Sequence, residues 1–250
     1  MPWLTARFAV PRLADGPKVS LGVLWAISLL VAVGLSAVLV GVVLVPIAAV
    51  AGLQVAHSWS EHEYTDRWAT ALTAGALALS GYFGVAALGA AVLAITLALV
   101  AYAVLLPLPK GTNRIRLAAS LILSAGPAGL ASGCLLALAV DLPQAFVSLL
   151  VLVSAYEIGD FLIGSGAANA FEGPIAGLVG LLLVTVGLYL LLPHPFTTSN
   201  LPVYAAVAAL GAPAGQFAAS AILPIGTAWA PALRRLDSYL LVAPIWLLLF

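Results

Sequence analysis

The sequence predicts an all-α fold, a polytopic bundle of transmembrane helices with about nine spans. Three observations support this prediction. Of the 250 residues, 64% are hydrophobic, and only 7% are charged. The sequence also contains apolar runs as long as the roughly 20 residues that a membrane-spanning helix needs. Soluble domains draw about a quarter of their residues from the charged types, so this chain lacks the polar surface for such a fold.

The charge and cysteine content exclude several function classes. Nine Lys and Arg balance nine Asp and Glu, and no basic stripe is present, so we expect no nucleic-acid partner. Cys134 is the single cysteine, which excludes an internal disulfide framework and a thiolate metal cluster.

The first spans follow a cytoplasmic N-terminal segment, predicted at residues 1–18. The apolar run at 19–56 would be about 57 Å long as one helix, nearly twice the thickness of a hydrocarbon core. We therefore expect two spans that fold back near Gly34–Gly41, and the alternative is one long span plus a lateral segment. Residues 68–105 are also too long for one span, and two are predicted there, with a turn near Gly81–Gly84 or Gly89.

The later spans are separated by clear loops. Residues 107–116 (PLPKGTNRIR) combine helix breakers with three cations and are predicted as a loop. The remaining spans are predicted at 117–140, 143–164, 173–192, 201–223 and 238–250. Residues 19–250 thus form one transmembrane domain. With a cytoplasmic N-terminus, nine spans place all nine Lys and Arg on the cytoplasmic side, as the positive-inside rule requires.

Two carboxylates in the sixth span are candidates for chemistry. Pro143–Tyr156 is only about 21 Å of helix, so the span must continue through Glu157 and Asp160. A charged residue near the centre of a span costs roughly 2.5–3.5 kcal/mol to insert and is a functional candidate by default. At spacing i, i+3 the two share one helix face. Gly159 and Gly164 allow close approach by a ligand or by another helix. The alternative is that the carboxylates pair with arginines to hold helices together.

Further polar residues could complete a site. Glu172 is a third carboxylate without a neighbouring cation, and a bound divalent cation would relieve the repulsion among them. Its alternative role is to begin the next helix, where a carboxylate suits the dipole. Arg234 and Arg235 either enforce topology or bind phosphates, and Asp237 either caps the last helix or acts as a metal or base ligand.

Three short motifs resemble a known family. EIGDFLIG at 157–164, FEGPIAG at 171–177 and RLDSYLLVAP at 235–244 occur in the order and spacing of segments from the phosphatidate cytidylyltransferases, or CDP-diacylglycerol synthases. The resemblance covers roughly residues 150–245. It implies an integral membrane enzyme of phospholipid biosynthesis, which makes CDP-diacylglycerol and pyrophosphate from CTP and phosphatidate.

The resemblance also implies roles for particular residues. Glu157, Asp160 and Asp237 would be the catalytic residues and the ligands of Mg²⁺. The implied substrate-binding residues are Arg234, Arg235, Glu172, Asn169, Gly159 and Gly164. The partners would be CTP and membrane phosphatidate, with a homodimer or a companion subunit left open. The site would face the cytoplasm, in the plasma membrane of a bacterium.

One part of the family signature is missing, which leaves two alternatives. Ser220 is followed directly by Ala-Ile-Leu-Pro, without the Lys-Arg and Lys-Asp pairs of the signature. The protein would then be a family member without catalysis that binds lipid or a membrane partner. A small transporter is the other alternative, favoured by the carboxylates within the membrane and by the many glycines.

Overall fold

The structure, a computed structural model, describes residues 17–60, 65–107, 113–165, 169, 171–225 and 228–250. For residues 17–23 it describes the backbone alone. Most of the predicted N-terminal segment, residues 1–16, lies outside the described residues. The described part of the chain is helical and contains no strand, as predicted.

Ten α-helices cover most of these residues, and their bounds agree closely with the predicted spans. In order they are α1 (Pro17–Leu35), α2 (Ala37–Trp59), α3 (Arg67–Ser80), α4 (Val85–Leu105), α5 (Arg114–Asp141), α6 (Pro143–Gly164), α7 (Glu172–Leu191), α8 (Leu201–Ile222), α9 (Leu233–Leu236) and α10 (Tyr239–Leu249). A 3₁₀ turn at Gly81–Phe83 separates α3 from α4.

The two long apolar runs are each divided in two, as predicted. Ser36 interrupts the first run because its backbone is extended, and its hydroxyl caps α2 by accepting the N–H of Leu39 at 3.3 Å. The second run turns at Gly81–Gly84 and not at Gly89. Gly84 has φ +91°, a left-handed conformation that glycine adopts without steric cost.

The predicted count of about nine spans is not confirmed. Six helices of the described chain are long and apolar enough to cross a membrane, namely α2, α4, α5, α6, α7 and α8. The 14 residues of α3 and the 11 residues of α10 are too few for a full crossing. For α1, the residues with described side chains reach only from Leu24 to Leu35. Hydropathy therefore predicted where the helices lie, but it did not predict which of them are long enough to cross a membrane.

One end of the bundle collects the described arginines, and we term it the arginine end. It contains the last turns of α2, α4, α6 and α8 and the first turns of α3, α5 and α7. Hydrogen bonds join these turns, since the Tyr102 hydroxyl donates to Asp66 at 2.6 Å and the Trp59 indole N–H donates to the Ile222 carbonyl at 2.9 Å. The described arginines at this end are Arg67, Arg114, Arg116, Arg234 and Arg235.

Between α8 and α10 the chain turns back into the bundle. Gly215 packs directly on the backbone of Asp237, and it lies seven residues before the end of α8, which is about 10 Å of helix. Glu157 likewise lies seven residues before the end of α6. Because α10 begins at this depth, 11 residues suffice to reach the other end, where the Tyr204 hydroxyl donates to the Leu249 carbonyl at 2.9 Å.

Candidate functional site

Three carboxylates form an acidic cluster inside the arginine end. Glu157 and Asp160 extend from α6, and Asp237 extends from the turn between α9 and α10. Glu157 interacts electrostatically with both of the other carboxylates. Asp160 and Asp237 are each 8% exposed, and Glu157 is half-buried. The fold therefore brings together acidic residues that lie 80 positions apart in the sequence.

The two arginines of α9 have different partners. Arg235 interacts electrostatically with Glu157 and with Asp237. Arg234 donates a hydrogen bond from Nη1 to Ser220 Oγ at 2.9 Å, and the same nitrogen lies 3.8 Å from Asp237 Oδ2. Both side chains are half-buried. The structure thus turns Arg234 towards α8 and places Arg235 within electrostatic range of Glu157 and Asp237.

Ser238 fixes the orientation of the Asp237 carboxylate. The Ser238 backbone N–H donates a hydrogen bond to Asp237 Oδ1 at 2.8 Å.

Several polar residues around the cluster were not predicted from the sequence. Gln216 Nε2 donates to Ser238 Oγ at 3.3 Å, and the neighbouring Tyr239 is buried, with 2% of its surface exposed. Ser220 was noted only as a remnant of the family signature. A usable signal was present, because polar side chains within apolar helices usually face the interior of a bundle.

The glycines of the motifs serve helix packing. A Cβ atom at Gly159 would lie 2.5 Å from the carbonyl oxygen of Ala176, and one at Gly177 would lie 2.7 Å from the Tyr156 ring. The backbones of α6 and α7 are therefore in direct contact. Of the two partners expected for Gly159, a ligand or another helix, the structure shows the helix. Gly164 is the last residue of α6 and is half-buried.

Asn169 and Glu172 form a local arrangement at the start of α7. Asn169 Nδ2 donates to Glu172 Oε1 at 2.6 Å, and Asn169 Oδ1 accepts the backbone N–H of Phe171 at 3.0 Å. Asn169 is exposed and Glu172 is half-buried. These contacts match the helix-start role that was one of the two alternatives for Glu172.

The geometry bears on the expected Mg²⁺ site. Within the described ranges, no group of three or more His, Cys, Asp or Glu side chains is arranged to hold a metal ion. The three-carboxylate ligand set expected for Mg²⁺ is therefore not seen as such. Glu157 and Asp237 remain as a pair, and Mg²⁺ in phosphoryl-transfer sites is commonly held by one or two carboxylates plus the substrate phosphates.

An apolar groove of about 340 Å³ lies far from the acidic cluster. It is formed by α1, α6 and α7 near the start of α6, and Val33, Val147 and Leu188 are among its lining residues. Along α6, Pro143 is about 21 Å from Glu157. The groove and the cluster are therefore separate features at opposite ends of α6.

No protein family model matches this chain, and no curated protein or solved structure matches it. The three sequence motifs contribute the last two turns of α6, the first turn of α7, and the last residues of α9 with the turn that begins α10. Glu157 of the first motif interacts electrostatically with Asp237 of the third.

Proposed function

We propose that the protein is a membrane-embedded nucleotidyltransferase of the phosphatidate cytidylyltransferase type. The observation that carries this proposal is the proximity of Glu157 and Asp237, which belong to two separate motifs of the resemblance. Helix packing alone gives no reason to bury two carboxylates together, because ionised neighbours repel each other. A cation shared between them removes that penalty.

In the proposed reaction, a phosphate oxygen of phosphatidate forms a bond to the α-phosphorus of CTP. The bond between that phosphorus and the oxygen of the leaving pyrophosphate breaks, and pyrophosphate takes the electron pair. Arg235 interacts with both carboxylates and is the cation that we assign to the substrate phosphates. Glu157 and Asp237 would hold Mg²⁺, which when bound would offset the negative charge of the triphosphate.

The depth of the cluster suits a reaction between a lipid and a water-soluble nucleotide. Asp237 lies about 10 Å inside the arginine end, judged from the position of Gly215 on α8. We assign the arginine end to the cytoplasmic face of a bacterial plasma membrane, because cationic residues favour that side and CTP is present there. A phosphatidate headgroup enters from the bilayer and the nucleotide enters from the water.

The test is turnover by the purified protein in detergent micelles that contain phosphatidate. With radiolabelled CTP and Mg²⁺, we expect label to appear in CDP-diacylglycerol, and we expect EDTA to abolish it. Glu157→Gln is the matched inactive variant, since it removes the charge and keeps the size of the side chain. An absence of turnover over a range of lipid, detergent and Mg²⁺ concentrations contradicts the proposal.

A second candidate function is lipid binding without catalysis. Two observations favour it, the engagement of Arg234 with Ser220 and Asp237 and the apolar groove on α1, α6 and α7. An arginine that already has partners within the protein is less available to a triphosphate. If the protein has this second function, phosphatidate binds to it and CTP does not. Isothermal titration of CTP into the Mg²⁺-loaded protein separates the two, because binding in the micromolar range excludes the second candidate.

A further inference from the structure

Gln54 makes a hydrogen bond between the two halves of the chain. It lies on α2, within the apolar run, and its side chain is 8% exposed. Gln54 Oε1 accepts the backbone N–H of Ala232 at 2.9 Å, across 178 residues of sequence. The motifs that resemble a family all follow residue 150, so this contact joins them to the half of the chain that has no such motif.

The hydrogen bond from Ala232 to Gln54 lies close to Asp237 of the acidic cluster. Ala232 immediately precedes α9, which ends at Leu236, next to Asp237. The distance along the helix from Ala232 to Asp237 is about 7.5 Å. On the opposite side, Gly215 packs against the Asp237 backbone. The segment that carries both arginines and Asp237 is therefore held between α2 and α8.

Gln54 satisfies a backbone N–H that an apolar residue at this position would leave unpaired. An amide buried among apolar residues is costly unless it is hydrogen-bonded, and a leucine or methionine would fill the same volume without that cost. Polar residues within membrane helices are accordingly concentrated at functional sites. The Gln54 acceptor reaches a backbone N–H at the start of a one-turn helix, which is a position that water or a side chain must satisfy.

We infer that Gln54 is a positioning residue, which fixes α9 and thereby the location of Arg235 and Asp237 relative to Glu157. This inference rests on the proposed function for its catalytic consequence. Its structural part concerns only the hydrogen bond to Ala232 and can be measured without any turnover.

The experiment compares three variants of the full-length protein in detergent. Gln54→Met removes the acceptor at similar size, Gln54→Asn keeps the amide but shortens it, and Gln54→Glu keeps an acceptor oxygen at the original reach. Gln144→Met is the matched control, because Gln144 is an exposed glutamine at the other end of the bundle. Hydrogen exchange followed by mass spectrometry reports on the peptide that contains residues 228–237.

Loss of one hydrogen bond is expected to speed exchange at Ala232 about fivefold in Gln54→Met and Gln54→Asn. Exchange in Gln54→Glu and in the Gln144→Met control should match that of the original protein. Gln54→Met and Gln54→Asn are the two loss variants, which lack the hydrogen bond. If one of them fails to fold, the other is compared with the original protein. Unchanged exchange in a folded loss variant overturns the inference.

Kinetics then separate positioning from packing. In the loss variants we expect kcat for CDP-diacylglycerol formation to fall about tenfold with little change in the KM for CTP, because a misplaced Asp237 affects reaction more than binding. Gln54→Glu should restore kcat. A rise in KM alone, or no rescue by Glu, contradicts the positioning role. If the original protein shows no turnover, the proposed function fails, and hydrogen exchange alone decides whether Gln54 holds α9.

Discussion

Replacing Gly159 with alanine perturbs the contact between α6 and α7 beside the acidic cluster. The added Cβ would lie 2.5 Å from the Ala176 carbonyl oxygen, so the two helices must separate by about 0.9 Å to regain an ordinary contact of 3.4 Å. The neighbouring atoms belong to a helix backbone and cannot rotate away. Such overpacking typically costs about 1–3 kcal/mol, whereas the exchange of glycine for alanine in a helix returns roughly 0.5–1 kcal/mol.

The matched control is Gly187→Ala in α7, where an added Cβ meets nothing within 4 Å. That variant receives the helix-forming benefit of alanine without a clash. The free energies of unfolding of the two variants should therefore differ by about 2 kcal/mol, which corresponds to roughly 4–8 °C in Tm for a chain of this size. Thermal unfolding in detergent, followed by circular dichroism, measures this difference.

Activity should respond as well, because Glu157 and Asp160 flank Gly159. A displacement near 1 Å at catalytic groups costs about 100-fold in rate, so turnover by Gly159→Ala should fall by about that factor. The result that refutes this reasoning is a Gly159→Ala variant that unfolds at the same temperature as Gly187→Ala or above it. The α6–α7 contact would then be too loose to position the carboxylates.

Two further outcomes are expected. Glu157→Gln and Asp237→Asn should each lower turnover at least ~100-fold in the CTP assay and leave the size-exclusion profile unchanged. Tyr102→Phe removes the 2.6 Å hydrogen bond to Asp66 and should lower Tm by about 2–4 °C at pH 7.

The decrease in Tm caused by Tyr102→Phe should itself depend on pH. Burial alone would raise the pKa of Asp66, but hydrogen bonds from Tyr102, Ala69 and Trp68 hold it below the ordinary value of 3.8. The ionised carboxylate therefore contributes stability above pH 3.8, and this contribution is lost as the pH falls through the lowered pKa of the folded state. Unfolding measured below that pKa should show the two proteins closer in Tm than at pH 7.

The positions of the helices could be predicted from the sequence because they depend on local properties. Pro143 and Gly164 bound one helix in both the prediction and the structure, and the first apolar run breaks at Ser36, inside the predicted turn region Gly34–Gly41. Hydropathy and helix-ending residues act over a few turns of chain, so neighbouring residues contain this information. The carboxylates of α6 were noticed for the same reason, since they interrupt an apolar helix.

The count of spans could not be obtained in this way. Residues 238–250 are as apolar as a membrane span, but α10 is short because the preceding segment enters the bundle and α10 begins about 10 Å inside it. That depth is set by the absence of a side chain at Gly215 and by the hydrogen bond from Ala232 to Gln54. Both contacts are made with helices far away in the sequence.

The amino-acid sequence thus determined a helical membrane protein, the limits of its helices and the carboxylates and arginines that could act in it. Only the tertiary structure decided which of them interact: Glu157 interacts electrostatically with Asp237 and Arg235, Arg234 binds Ser220, and Gly159 packs on α7. The physical reason is that helix formation depends on hydrogen bonds and hydropathy within about four residues, whereas the meeting of side chains depends on which helix faces pack together.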